Sequence, residues 1–259
     1  MPHIVTLTSD FGTRDGYVGQ MKGVILGIDP AVALVDVTHD IEPFSVVAGA
    51  LVLKGISRYF GQGAVHLAVV DPGVGSTRRG IVARIDGRLY VGPDNGLFSL
   101  VLFSARSSEI REIRNTELTL PDPHPTFHGR DVFAPVAGHL SAGAKFDSVG
   151  PLVTDPISLS IDPPKMVEDG LHGEVIHVDR FGNLTTNIDA HMLTRPVSRI
   201  EIGHVIIRGL SMFFSQAPEG EPLALINSFG FLEVAVNLGN AAKVLGIGKG
   251  DRVRISFGC

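Results

Sequence analysis

AVHLAVVDPGVGSTRRG, residues 64–80, is the stretch from which the fold can be read. AVHLAVV (64–70) is a nearly unbroken apolar run, as expected of a strand buried on both faces. Asp71 takes the first polar position after it. A turn rich in Gly and Pro follows (Pro72, Gly73, Gly75), and then two cations, Arg78 and Arg79. α/β enzymes build sites in this way, from a buried strand that ends in a carboxylate and a group brought back to it at the sheet's carboxyl edge. The turn lets either arginine fold back on Asp71, and spacing alone does not choose between them. The same glycines invite a phosphate-loop reading, which the spacing rejects. Gly73, Gly75 and Gly80 do not form G-x-G-x-x-G, and no GK[ST] follows.

Outward from this strand, the first half alternates strand and helix. HIVTLTSD (3–10) and AVALVDVTHDI (31–41) read as strands. YVGQMKGVILGI (17–28) carries apolar residues at helical spacing, and PFSVVAGALVLKGISRYF (43–60) reads as a helix with Pro43 near its first turn. GIVARIDGRLYVGPDNG (80–96) alternates about an Asp-Gly pair at 86–87, a hairpin signal, and LFSLVLFSA (97–105) and DVFAPVAGHLSAG (131–143) suggest further helices. Such alternation implies a largely parallel sheet covered on both faces. PLVTDPISLSIDPPK (151–165) is rich in Pro and has no helical pattern. Beyond it come only short β-like runs such as EVIHVD, NLTTNI, LEVAV and RVRISF. The expected organisation is an α/β domain over 1–150, a connector over 151–170 and a smaller all-β, barrel-like domain over 171–259.

The chain has 259 residues, of which 44% are hydrophobic and 19% charged, enough for a sizeable core. A net charge of −5 offers no general field for nucleic acid or an anionic membrane. The one cysteine, Cys259, excludes an intrachain disulfide and a cysteine-based zinc site. The N-terminus begins directly as a strand, without the charged and apolar regions of a signal peptide, so a cytoplasmic, soluble protein is expected.

Polar clusters fall where apolar runs stop. Asp10, in TSD (8–10), is placed to accept hydrogen bonds from vicinal hydroxyls such as those of a ribose, or else closes a turn. Asp94 and Asn95 lie in GPDNG (92–96), and Phe127, His128 and Asp131 in TFHGRD (126–131). His128, at a helix entrance, can orient or deprotonate a water or simply cap the helix, and Asp131 reads as a charge at the helix N-terminus. VDRFGNLTTN (178–187) places Asp179, Phe181 and Asn183 around Gly182 in a turn that suits a small polar ligand or a bulged hairpin. Phe214, Phe229 and Phe231 can stack on a base or fill a core. Asp10, Asp71, Asp94 and His128 also make a possible divalent-metal set of the kind found in phosphatases. Against it, no close ligand pair such as H-x-H or D-x-D occurs, and three arginines flank the set.

Taken in order, TSDFGTRDGYVGQMKG, VDVTHDI, VVDPGVGSTRR, GPDNGL, TFHGRDVFAPVAGHL, DRFGNLTTNI and SFGFLEVAVNLGNAA resemble the S-adenosylmethionine (SAM) hydrolases, also called SAM hydroxide adenosyltransferases, which are relatives of fluorinase and chlorinase. The resemblance covers essentially the whole chain. It implies an adenosine-forming hydrolase that needs no cofactor or metal. It also implies a homotrimer whose SAM site lies between the N-terminal domain of one subunit and the C-terminal domain of its neighbour. By resemblance the water-holding triad falls on Asp71, Arg78 and His128, which selects Arg78 over Arg79. The ribose carboxylate falls on Asp10, and Asp94, Asn95 and Phe127 join the substrate-binding set. The amino-acid end of SAM falls to Asp179, Asn183 and Ser228, and adenine to the neighbourhood of Phe214 and Asn237. A fluorinase would carry Tyr in place of Asp71 and Tyr-Ser in place of His128-Gly129, so the resemblance favours water over halide. The remaining alternatives are a SAM-dependent chlorinase and a non-catalytic adenosine- or SAM-binding protein.

Overall fold

The computed structural model describes residues 3–258 and divides at Leu159/Ser160 into two compact units. Cys259 lies outside the described residues. No described helix is long and apolar enough to cross a membrane.

The first unit is a six-stranded sheet flanked by helices. In chain order its elements are β1 (Ile4–Ser9), α1 (Tyr17–Ile28), β2 (Ala33–Thr38), α2 (Val46–Ile56), β3 (Val65–Val69), β4 (Gly80–Ile85), β5 (Arg88–Pro93), α3 (Ser99–Phe103), β6 (Ser108–Glu112) and α4 (Ala134–Ser141). The spatial order is β2-β1-β3-β5-β4-β6. β1 pairs in parallel with β2 and β3, and β3 with β5, while β4 runs antiparallel between β5 and β6, so the sheet is mixed. From β1 the chain steps to β2 on one side and then to β3 on the other. The crevice at the carboxyl ends of β1 and β3 is therefore the topological switch point where open α/β sheets bind ligands. Asp10 and Asp71 follow those two strands.

Side-chain alternation divides the buried residues between two faces. Val65, Leu67 and Val69 pack with Met21 and Ile25 of α1 and Val136 and Ala137 of α4. Ala68 and Val70 pack on the other face with Ala48 and Leu53 of α2 and Val101 of α3. The Asp-Gly hairpin forms between β4 and β5, with Asp86 and Gly87 at φ 47° and 79°, the left-handed pair that a two-residue turn needs.

Two helices differ from the pattern-based reading. α2 starts at Val46 rather than beside Pro43, because Phe44 is left-handed (φ 67°) and Ser45 serves as the N-cap, accepting from the Ala48 N–H. The helix expected over 131–143 begins as a π-turn, Gly129–Phe133, and becomes α-helical only from Ala134. Pro135 has no N–H to offer the Asp131 carbonyl. The Leu120 N–H takes that carbonyl instead, at 2.9 Å.

The second unit is antiparallel throughout. Its elements are β7 (Lys165–Val167), β8 (Gly170–Val178), β9 (Leu184–Asp189), β10 (Val197–Ile202), β11 (Val205–Ile207), β12 (Pro222–Ile226), β13 (Phe231–Val236), the short α5 (Ala241–Leu245) and β14 (Arg252–Phe257). The order β11-β10-β14-β8-β9-β13-β12, with β7 added on β8, curls so that β11 and β12 come together. A hydrogen bond from the Ser211 N–H to the Ala224 carbonyl helps to close the ends. The result is a nearly closed barrel filled by Leu171, Val175, Leu184, Ile200, Leu232, Val234 and Val253.

Candidate active site

In the first unit, the turn after β3 decides which arginine meets Asp71. The Val74 N–H bonds the Asp71 carbonyl, the Ser76 N–H bonds that of Gly73, and the Ser76 hydroxyl accepts from the Arg78 N–H. This folding brings Arg78 back alongside the strand end. Its Nε donates to Asp71 Oδ1 at 2.9 Å and an Nη to Oδ2 at 2.5 Å. The two side chains are only 9% and 4% exposed, so this is a buried, bidentate pair. Arg79 points elsewhere. It bonds Asp94 at 2.8 Å and Asp155 at 2.7 Å.

His128 completes the group. An Arg78 Nη lies 2.9 Å from His128 Nδ1. Guanidinium can only donate, so Nδ1 must carry a lone pair and the ring proton sits on Nε2. Burial and the charge of Arg78 hold the His128 pKa below its ordinary 6.5, against the opposing pull of Asp71 and Asp131. His128 is held in place by a packed turn contact. Gly75 is left-handed (φ 76°), and a Cβ there would lie 2.5 Å from the Pro125 carbonyl oxygen, so only glycine lets the 71–78 turn meet the 123–128 loop. Asp131 anchors the same loop. It is buried in the π-turn, not exposed at a helix start, accepts the His124 N–H and is paired with Arg130.

Asp71 and His128 line a cavity of about 440 Å³ with Phe11, Tyr17 and Phe127. The three rings pack mutually, with centroids 5.2–5.9 Å apart. Phe11 and Tyr17 are site-wall residues that the sequence reading missed, although both lie in a quoted motif. Asp10 is half-buried, and its Oδ2 accepts the N–H of left-handed Phe44 at 2.9 Å. Asp94 is buried, with one oxygen on Arg79 and the other on the Ile157 N–H. Asn95 donates to the Val70 carbonyl and accepts the Leu97 N–H. Asp94 and Asn95 thus use polar atoms within the fold, whereas Asp71, His128 and Phe127 line one cavity and Arg78 is hydrogen-bonded to the first two. Among the described residues, no three His, Cys, Asp or Glu side chains come together as a metal-binding group.

The second unit holds another cavity, of about 860 Å³, and Asp179, Asn183, Phe214, Ser228 and Asn237 all line it. The turn between β8 and β9 is built around Asp179. Its Oδ1 accepts the N–H groups of Phe181 and Asn183, and its Oδ2 accepts Asn183 Nδ2 at 3.0 Å. Gly182 supplies the left-handed position (φ 88°), and a Cβ there would collide with Asn240. The Asn237 side chain donates to the Ala217 carbonyl at 2.8 Å. Glu233 also lines this cavity, buried on β13. The sequence reading passed over it. The available signal was a lone carboxylate within an otherwise apolar strand, FLEVAV.

Comparisons with known proteins give the family. The N-terminal domain model of the SAM hydroxide adenosyltransferases matches residues 5–150 and their C-terminal domain model matches 173–254. The chain belongs to this family. It is 42% identical to a protein of Thermus thermophilus over 97% of this chain and 98% of that one. It is 39% identical to one of Salinispora tropica over 98% of both. Both relatives are named (R)-S-adenosyl-L-methionine hydrolase. A crystal structure of an uncharacterized conserved protein from Thermotoga maritima superposes with a TM-score of 0.88 at 39% identity, covering 98% of this chain and 99% of that one. More distant family relatives, 28–30% identical, are named fluorinase.

Proposed function

We propose that this enzyme hydrolyses SAM to adenosine and L-methionine, and that Asp71, Arg78 and His128 hold the attacking water. The observation that carries the reading is the hydrogen-bonded Asp71–Arg78–His128 group at the switch-point cavity. The C5′ carbon of SAM is already activated, because its C–S electron pair leaves on sulfur as a neutral thioether. Catalysis then consists mainly of placing a nucleophile in line with that bond, an effect worth roughly 7–11 kcal/mol in well-oriented systems. The water oxygen bonds C5′ as the C–S bond breaks, and the water loses a proton. His128 Nδ1 is occupied by Arg78 and Nε2 is protonated, so His128 acts as a donor that orients the water. Asp71 retains a lone pair on each oxygen beyond its bonds to Arg78 and takes the proton. Arg78 offsets the negative charge that develops on the nucleophile.

In this reading Asp10 accepts the ribose hydroxyls. The second cavity takes the rest of SAM, with Phe214 and Asn237 near adenine and Asp179, Asn183 and Ser228 near the amino-acid end. Asp94, Asn95 and Phe127 shape the pocket wall. The enzyme works as a cytoplasmic homotrimer in which one copy's first unit and a neighbouring copy's second unit complete each site. The (R)-epimer named for the relatives is the substrate form expected here. Purified protein incubated with each sulfonium epimer should release adenosine and methionine from the (R)-epimer. Methylthioadenosine or S-adenosylhomocysteine in place of adenosine would overturn the proposal. Mixing Asp71→Ala and Asn183→Ala proteins, each inactive alone, should restore part of the activity in shared trimers.

The second reading, a chlorinase, has the fluorinase relatives in its favour. Two local features oppose it. The Asp71 carboxylate repels a halide, and Gly129 has no hydroxyl that could help to desolvate one. Incubation with chloride should yield no 5′-chloro-5′-deoxyadenosine.

A further inference from the structure

We infer that Glu233 is the specificity residue that pairs with the α-ammonium group of the substrate, an inference that rests on SAM being the ligand of the second cavity. The family motif points to Asp179 for this end of the molecule, but the acceptor inventory points to Glu233. A carboxylate has about four lone-pair sites. Asp179 already receives three N–H groups from its own turn, two on Oδ1 and one on Oδ2. Its partner Asn183 spends one of its two side-chain N–H groups on the same carboxylate. Glu233 receives Asn227 Nδ2 at 3.1 Å and the Thr185 hydroxyl at 3.4 Å, both on Oε2. Its Oε1 accepts from no group among the described residues.

The charge balance of the cavity leads to the same residue. Among the described lining residues are two carboxylates, Asp179 and Glu233, and no lysine, arginine or histidine. The rest of the lining is largely apolar, with Phe181, Phe213, Phe214 and Phe229. Glu233 is only 6% exposed, opposite Thr185 in the β9–β13 pairing. Burial pushes its pKa above the usual carboxylate value, and the charge of Asp179 pushes the same way. A buried carboxylate with an unused oxygen and no protein cation is costly unless a ligand supplies the cation. SAM carries two cations. The sulfonium has no N–H to donate and lies across C5′ from the in-line nucleophile, whereas the ammonium has three donors and can reach a carboxylate.

The test compares SAM with its analogue lacking the α-amino group, by turnover and by calorimetric binding. Wild-type protein should bind the deamino analogue at least tenfold more weakly. Glu233→Gln keeps the shape and the acceptor for Asn227. It should raise KM for SAM about tenfold, hold kcat within about threefold, and remove most of the discrimination between the two compounds. Asp179→Asn should leave that discrimination largely intact. Equal binding of the two compounds by wild type would overturn the inference whether or not any variant folds. So would full discrimination by Glu233→Gln, or its loss only in Asp179→Asn. Release of no adenosine by wild type would overturn the functional reading alone, because calorimetry still reports the ammonium preference.

Discussion

The two cavities handle charge in opposite ways. In the first unit the carboxylate at the cavity is neutralised by the fold, since Asp71 is clasped by Arg78 on both oxygens and Arg78 also holds His128. In the second unit Glu233 and Asp179 face a cavity with no lining cation among the described residues. The first is a finished electrostatic device before any ligand arrives, suited to a small neutral molecule such as water. The second leaves a charge for the ligand to balance. Preorganised dipoles cost nothing at the moment of reaction, and that favours finishing the reacting end. Recognition gains from a group whose burial is relieved only by the right partner.

The largest effect expected from breaking this contrast is at Asp71 and Arg78. Either Asp71→Asn or Arg78→Met should lower kcat by about 10³-fold, by loss of nucleophile positioning and charge stabilisation. Each should also cost about 3–5 kcal/mol of stability, because the remaining partner is left in a buried pair that has lost its counter-charge. The double variant should recover most of the stability and none of the activity, as denaturant melts and single-turnover assays would show. Arg79→Ala is the control, since Arg79 serves Asp94 and Asp155, and it should keep kcat within about threefold.

How much of this was legible before the fold was known depends on the kind of signal. Strand ends carrying Asp10 and Asp71, the Asp86-Gly87 hairpin and the change to short β runs are local patterns, and they appear as read. The choice between Arg78 and Arg79 is not local. It depends on how Ser76 and Gly73 close the turn, and on Asp155, far along the chain, giving Arg79 a second carboxylate. The residue pattern left that choice open, and only the family resemblance selected Arg78. Pro43 marked a helix start that moved to Ser45 because Phe44 turns left-handed to bond Asp10. Glu233 was hidden because a lone charge in an apolar strand marks a position but gives it no role until the cavity beside it is known.

The next effect concerns stability and gives the two units opposite pH responses. His66 is buried between Phe60 and Tyr90, bonded to Thr6 at Nδ1 and without a partner at Nε2. Burial, aided by Arg88, pushes its pKa down to about 4 from 6.5. Below 6.5 the unfolded chain binds the proton first, so the stability contributed by neutral His66 is full above that value and is lost as pH falls toward 4. The loss is about 3 kcal/mol at 1.36 kcal/mol per unit. His66→Gln should flatten the acid side of the stability profile across that window.

A smaller effect is expected in the rate. Protonated His128 would turn an N–H toward the guanidinium of Arg78, so kcat/KM should fall on the acid side with a midpoint below the ordinary 6.5 of histidine. His128→Asn preserves an acceptor for Arg78 and should lose about tenfold in kcat together with that acid limb. A limb that persists unchanged in the variant would assign the titration to another group.

The smallest effect is the sharpest test of the contrast, because its sign is unusual. The Glu233 pKa is raised in the folded state, so the native protein binds the proton more tightly than the unfolded chain does. Its contribution is most favourable below the unfolded value of 4.5 and declines as pH rises through the folded value, the reverse of His66. At neutral pH the ligand-free protein therefore carries the cost of an unbalanced carboxylate. Glu233→Gln should raise Tm without ligand by about 2 °C at pH 7, and the gain should disappear at pH 4. Saturating SAM should reverse the order, making wild type the more stable protein, because only wild type gains the ammonium pair. A residue kept for packing alone would show no such reversal. A residue whose cost is relieved by ligand must show it, as in other sites where function is held at the expense of stability.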